Sequence, residues 1–137
     1  MTIQRYVLGF AFNSEMSYVL LVKKLKNIGK WNGVGGKVEI GELPQDAMLR
    51  EFEEETGLAV KWERMGTVVG EEWTMCVFKS TGLPARQFQT VNDVGEPLMW
   101  AKCHVVTDQL VKHRFAQNVP TMVSHAVSGT GLLRIRV

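Results

Sequence analysis

The sequence predicts an α/β fold, a mixed sheet packed between helices in a single domain over residues 1–137. Three observations carry this. Strand-sized apolar runs open the chain, a helix bounded by Pro44 and Gly57 follows, and after further strands a second helix shows one apolar stripe. The 137 residues suit one ordinary domain, and 45% hydrophobic with 22% charged residues is a soluble globular composition.

Tyr6 to Phe12 is almost continuously apolar and reads as a strand buried on both faces. A turn over Asn13–Met16 leads to a second strand, Tyr18 to Val22. Lys24 to Lys37 holds Gly29, Gly33, Gly35 and Gly36 and reads as a loop. The first helix is predicted from Pro44 to Thr56: proline suits the first helical position and Gly57 the stop. Leu43 is a poor N-cap, which weakens helix entry. Ala59–Val69 and Trp73–Lys79 have strand character. Ser80–Gly95 reads as a long loop of the kind that often carries function. Leu98–Val105 reads as another strand. The second helix is predicted between Asn118 and Gly129, with Val119, Met122, Val123, Ala126 and Val127 on one face and His125 solvated opposite. Leu132–Val137 closes the chain as an edge strand.

Composition narrows the function. No apolar run nears the roughly 18 residues of a membrane span, and the N-terminus lacks a signal-peptide layout. Cys76 and Cys103 sit in apolar, strand-like surroundings and read as buried reduced thiols, which fits a cytoplasmic protein. A net charge of +2 is too small to argue for a nucleic-acid polymer as partner. The distribution of charge says more than the sum. Lys23, Lys24, Lys26, Lys30 and Lys37 lead into an acidic stretch, and read either as a solvated loop or as a rim facing polyphosphate.

That stretch holds seven of the fourteen acidic residues between Glu39 and Glu55, with Arg50 as its only base. Glu51, Glu53, Glu54 and Glu55 crowd a helix C-terminus, where cations are favoured and acids are misplaced. Like charges three or four apart cost a further ~0.2–0.5 kcal/mol each. A segment that works against its own stability usually serves a site. On a helix, Glu51, Glu54 and Glu55 share one face, while Met48 and Phe52 point to the core and Glu53 to solvent. Converging carboxylates make an all-oxygen site suited to Mg²⁺ or Mn²⁺; the bland alternative is a solvated acidic face. His104, His113 and His125 show no ligand spacing.

Gly36, five residues, Glu42, seven residues, then Arg50-Glu51-Phe52-Glu53-Glu54-Glu55-Thr56-Gly57-Leu58 resembles the signature box of the Nudix hydrolases. Every fixed position is filled; Phe52 takes an apolar position more often aliphatic. The box covers residues 36–58, and the element order on both sides also looks like a Nudix domain. The resemblance implies an α/β/α sandwich and hydrolysis of a nucleoside diphosphate linked to another group, a small-molecule substrate. It implies that Glu51, Glu54, Glu55 and the carbonyl of Gly35 bind the divalent cation. Glu42 would support the metal shell, and Arg50 would hold the glutamates. The general base is Glu51 within the box, or Asp93 or Glu96 in the later loop.

The substrate is narrowed by elimination. No proline lies between Pro44 and Pro84, and the only tyrosines are Tyr6 and Tyr18. The downstream marks of ADP-ribose, dinucleoside polyphosphate and NADH members are therefore missing, and nucleoside triphosphates become the default, as in the MutT-like branch. Lys30-Trp31-Asn32-Gly33-Val34-Gly35-Gly36-Lys37 is similar to the loop of the family's purine triphosphate-cleaning enzymes, where the residue matching Asn32 contacts the base. The Trp-Pro-Asp-Asp segment of the oxidised-purine type is replaced by Lys112-His113-Arg114-Phe115-Ala116-Gln117-Asn118. Phe115, Gln117 and Asn118 are candidates for a different base pocket and Trp73 and Phe78 for stacking, with core packing the favoured reading for Phe78 and Trp100. With Lys23 and Lys37 on the phosphates, these complete the expected substrate contacts. Competing readings are a hydrolase of ADP-ribose, a nucleotide sugar or capped RNA, and a non-catalytic nucleotide sensor. Monomer and homodimer both fit the sequence.

Overall fold

The computed structural model describes residues 2–27, 29–84, 92, 94–129 and 131–137. Its centre is β1 (Gln4–Phe12). Residues of β1 alternate between two cores, the period-two geometry of a strand covered on both sides. Val7 and Ala11 join Met48 and Phe52 of α1 (Pro44–Thr56). Leu8, Phe10 and Phe12 join Val119, Met122, Val123 and Ala126 of a later helix. The sheet is thus sandwiched between helices, as expected.

Along the chain follow β2 (Tyr18–Lys24), β3 (Lys30–Asn32), β4 (Val34–Lys37), β5 (Glu63–Val69), β6 (Trp73–Ser80), β7 (Leu98–Lys102), α2 (Cys103–Val106), α3 (Val119–Ser128) and β8 (Leu133–Arg136). Among the described residues the strand order is β3-β2-β1-β6-β5-β8, with β4 also on β1 and β7 also on β2. The β1/β6 and β5/β8 pairs are parallel and the others antiparallel, so the sheet is mixed. β8 lies at the edge, as its sequence predicts.

Helix α1 begins and ends where its end signals place it. Leu43 offers no side-chain cap, Pro44 opens the first turn, and Gly57 closes the last with φ 78°. The Gly57 N–H donates to the Glu53 carbonyl at 2.8 Å, and left-handed backbone of this kind favours glycine. Met48 and Phe52 are fully buried, and Glu53 is exposed. The helix lies close on the sheet because Gly9 has no side chain: a Cβ there would stand 2.6 Å from Met48 Cε.

The structure departs from the sequence reading in several places. The expected loop Lys24–Lys37 contains a 3-10 turn, Leu25–Asn27, and two short strands, β3 and β4. Glycine lacks strand propensity, but at Gly35 only glycine fits, since a Cβ would lie 2.1 Å from the Val7 carbonyl. The strand expected over Leu98–Val105 stops at Lys102, and Cys103–Val106 turns helical; short apolar runs do not distinguish the two states. A 3-10 helix over Gln109–Arg114 follows, its first turn capped by Asp108, which accepts from the Leu110 N–H at 2.9 Å. Val127, placed in the apolar stripe, is 46% exposed. His125 is half-buried and its Nε2 lies 3.0 Å from the Gly131 carbonyl. Cys76 and Cys103 are free thiols, the first half-buried and the second buried, and burial pushes the Cys103 thiol up to about 11.

Phe52 fixes α1 to the sheet, with its ring edge-on to Trp62 at 5.1 Å between centroids. Phe52→Ala should destabilise the fold by about 3–5 kcal/mol, the cost of an aromatic-to-alanine cavity. Urea unfolding measures it, and a loss below about 1 kcal/mol would show that this contact does not seat the helix.

Candidate active site

The acidic face of α1 is organised by Arg50. Its Nε donates to Glu42 Oε2 at 2.9 Å and its Nη2 to Glu42 Oε1 at 3.0 Å, a two-pronged pair. Nη2 also donates to the Lys37 carbonyl at 3.0 Å, tying α1 to the end of β4. Nη1 donates to Glu51 Oε1 at 2.9 Å and reaches Glu54 Oε1 at 3.5 Å. The loop before the helix closes on the same group, because the Glu39 N–H donates to Glu42 Oε1 at 3.0 Å. Arg50 holds the Glu42 carboxyl at about 2, well below its ordinary 4.5, with the Glu39 N–H adding to the effect. The guanidinium is stabilised in its charged form in return, chiefly by Glu42.

Glu51 sits in a cradle without a Cβ. A side chain on Gly36 would begin 2.3 Å from the Glu51 carboxyl, so this glycine makes room for the acid. Burial pushes the Glu51 carboxyl up, Arg50 opposes that, and the charges of Glu54 and Glu55 push the same way as burial. Glu55 meets other partners. Asn92 Nδ2 donates to Glu55 Oε2, and Lys24 Nζ stands 3.8 Å from Glu55 Oε1. Glu96, 6% exposed, accepts from Asn92 Nδ2 and the Leu25 N–H, both at 2.9 Å, with Lys24 Nζ at 3.8 Å. Burial alone would raise the Glu96 carboxyl, but these donors outweigh it and hold it lower.

Glu51, Glu54 and Glu55 thus occupy one stretch of helix but do not converge. Among the described residues, no three acidic, histidine or cysteine side chains are gathered to hold one ion. Their partners differ: Arg50 takes Glu51 and Glu54, while Asn92 and Lys24 hold Glu55. The donor set still suits a hard divalent cation, being all oxygen. Glu54 is 58% exposed at its side chain. Gly35 and Gly36 lie in β4 opposite Leu8 and Val7, which brings backbone alongside the Glu51 cradle.

A cavity of about 930 Å³ opens beside Glu55, walled by Lys24, Lys26, Asn32, Trp73 and Glu96. A second of about 560 Å³ shares Lys26, Trp73 and Met75 with it and ends at Gln117, Asn118 and Met122. The shared wall makes them one groove running from the end of α1 to the start of α3. Asn32, Trp73, Gln117 and Asn118 line it. Asn118 is held by backbone with φ 69° at the α3 N-cap. Trp73 stands edge-on to Tyr6 at 6.4 Å.

Other candidates lie elsewhere. Phe115 is core, its backbone bridged to Trp31. Phe78 is also core, and Trp100 packs edge-on against Tyr18 at 6.4 Å. Lys23 places its ammonium 6.0 Å from the Trp31 ring, outside the groove walls, and Lys37 contributes its carbonyl to Arg50 rather than its ammonium to the groove. Successive strand residues face opposite ways, so the groove receives Lys24 where the sequence pointed to Lys23. Asp93 lies outside the described residues. Asn92 was missed altogether; its only sequence signal was a turn-forming Asn three positions before Gly95.

The family model described as the NUDIX domain matches residues 2–118. The oxidized purine nucleoside triphosphate hydrolase of Mus musculus is 37% identical over 59 residues, 43% of this chain and 38% of that protein. The Danio rerio protein of the same name is 52% identical over 44 residues, 31% of this chain and 28% of that protein. The matches therefore span well under half the length of these relatives. Among solved structures, the MutT protein from Bacillus halodurans superposes with a TM-score of 0.79 at 27% identity, covering 96% of this chain and 87% of that one.

The Glu42–Arg50 pair makes a prediction about acid stability. The folded carboxyl titrates near 2 against an ordinary 4.5. A depressed acid contributes its stability above its unfolded pKa and loses it as pH falls toward the folded one. Stability should therefore decline between about pH 4.5 and pH 2, and Glu42→Gln should flatten that part of the curve. Urea midpoints across this range test it; identical slopes in both proteins would exclude the pair as a source.

Proposed function

This chain belongs to the Nudix domain family, and from that premise we propose that it hydrolyses purine nucleoside triphosphates to a monophosphate and pyrophosphate with a divalent cation. The observation that carries the reading is the groove. Its walls join a box carboxylate, Glu55, to two lysines, an aromatic and amide side chains at the far end. That order matches a nucleotide laid with its phosphates at α1 and its base toward Trp73 and Asn118. The two curated relatives, both named for oxidised purine nucleoside triphosphates, support a purine triphosphate.

In this reading Glu51, Glu54, Glu55 and the carbonyl of Gly35 hold Mg²⁺ or Mn²⁺, and Glu42 supports the shell through Arg50. When bound, such an ion offsets charge on phosphoryl oxygens and makes a coordinated water more acidic. Lys24 and Lys26 face the phosphate chain. Asn32 spends its Oδ1 on the Gly33 N–H at 2.8 Å, so its amide nitrogen is the half that meets a base acceptor. Glu51 is the general base: its cradle is next to the box backbone, and burial raises its proton affinity. Glu96 is a poor base, since both of its oxygens already accept hydrogen bonds.

The same reading takes the whole chain as one domain, because α3, beyond the family match, completes the core under β1. Two free thiols fit a reducing compartment, and no helix among the described residues is long and apolar enough to cross a membrane.

Incubation with Mg²⁺ and a panel of purine and pyrimidine triphosphates, an oxidised purine triphosphate, ADP-ribose and a nucleotide sugar tests this. Pyrophosphate should appear with purine triphosphates and fastest with one of them. Glu54→Gln and Glu55→Gln should each fold and lose at least about a hundredfold in turnover, the scale of a lost electrostatic or acid–base contribution. Near-normal Mg²⁺-dependent turnover in both variants would remove these glutamates from the mechanism.

A further inference from the structure

Asn92 is 7% exposed, and all four hydrogen-bonding positions of its side-chain amide are used. Oδ1 accepts from the Val94 N–H at 3.1 Å and the Glu96 N–H at 2.8 Å. Nδ2 donates to Glu96 Oε1 at 2.9 Å and to Glu55 Oε2. The backbone closes the same turn: the Asn92 N–H donates to the Glu96 carbonyl at 3.0 Å and the Gly95 N–H to the Asn92 carbonyl at 3.1 Å. Gly95 takes φ 83°, which suits glycine there. Next in chain, the Pro97 carbonyl accepts from the Lys23 N–H at 2.9 Å, fixing the turn to β2.

The amide can face only one way. Reversed, it would set its oxygen against two carboxylates and its NH₂ against two N–H donors. Its donor half is therefore committed to Glu55 and Glu96, acids from two separate elements, and Lys24 stands 3.8 Å from each. We propose that Asn92 is a positioning residue that aims the Glu55 carboxylate, locking the Asn92–Glu96 turn to the end of α1. The inference rests on the reading of Glu55 as a cation ligand. Hydrogen-bonding partners of ligating carboxylates orient them, and losing such a partner typically costs ~10–100-fold in metal affinity or activity.

Two variants separate aiming from mere turn formation. Asn92→Asp keeps both acceptors of the turn but puts an acceptor where Glu55 and Glu96 need a donor. Asn92→Ser keeps a hydroxyl able to support the turn but is too short to reach Glu55. The expected result for Asn92→Asp is a kcat lower by about 10–100-fold, with KM within about twofold and a melting temperature within about 5 °C. Asn92→Ser should bind Mn²⁺ about tenfold more weakly, read by electron paramagnetic resonance of free Mn²⁺ without nucleotide. If Asn92→Asp does not fold, Asn92→Ser is judged by both readouts. A folded variant with wild-type kcat, or Mn²⁺ affinity unchanged in Asn92→Ser, overturns the inference. A wild-type protein that binds Mn²⁺ but cleaves no nucleotide would instead refute the proposed function, leaving Asn92 to be decided by the Mn²⁺ titration. A wild-type protein that binds no Mn²⁺ overturns both.

Discussion

One guanidinium holds the functional face together. Arg50 meets Glu42 from the loop before α1, Glu51 and Glu54 from the helix itself, and the Lys37 carbonyl from β4. Without it, acids at the helix end would repel one another in the region where the helix dipole already disfavours them. With it, an unfavourable cluster becomes a network whose geometry is set by a rigid planar fork. A lysine could supply the charge but not five directed donors, so the arrangement depends on arginine at this position.

Around that network the fold supplies close approach. Glycines 9, 35 and 36 each leave out a side chain where α1, β1 and β4 meet, and each omission has a different beneficiary. At Gly9 it is Met48 of the helix, at Gly35 the backbone of β1, and at Gly36 the Glu51 carboxyl. The acidic helix therefore packs closely on the sheet. The remaining box acid, Glu55, is governed from elsewhere, by Asn92 and Lys24.

What could be read from sequence follows from how local each cause is. The bounds of α1 were legible because Pro44 and Gly57 act on their own backbone, and β1 because its apolar run is unbroken. The strand β4 was not, because glycine belongs at Gly35 on account of a neighbouring strand and not a local preference, and β3 is only three residues long. Helical spacing put Glu51, Glu54 and Glu55 on one converging face, but side-chain direction came from Arg50 and Asn92, which spacing does not encode. The choice between Lys23 and Lys24 turned on which face of β2 borders the groove, a question of sheet topology. Gln117 and Asn118 stand out because they interrupt an otherwise familiar segment, and they line the groove, whereas Phe115 beside them drops into the core.

The groove's two ends are indexed to the same central strand. Helix α1, which carries Glu55, packs on one side of β1, while α3, which begins beside Asn118, packs on the other. The middle is Trp73 and Met75 on β6, paired with β1 residue for residue. The span between the ends is accordingly a property of rigid sheet. A spacing set in this way changes only if the pairing of β6 with β1 changes.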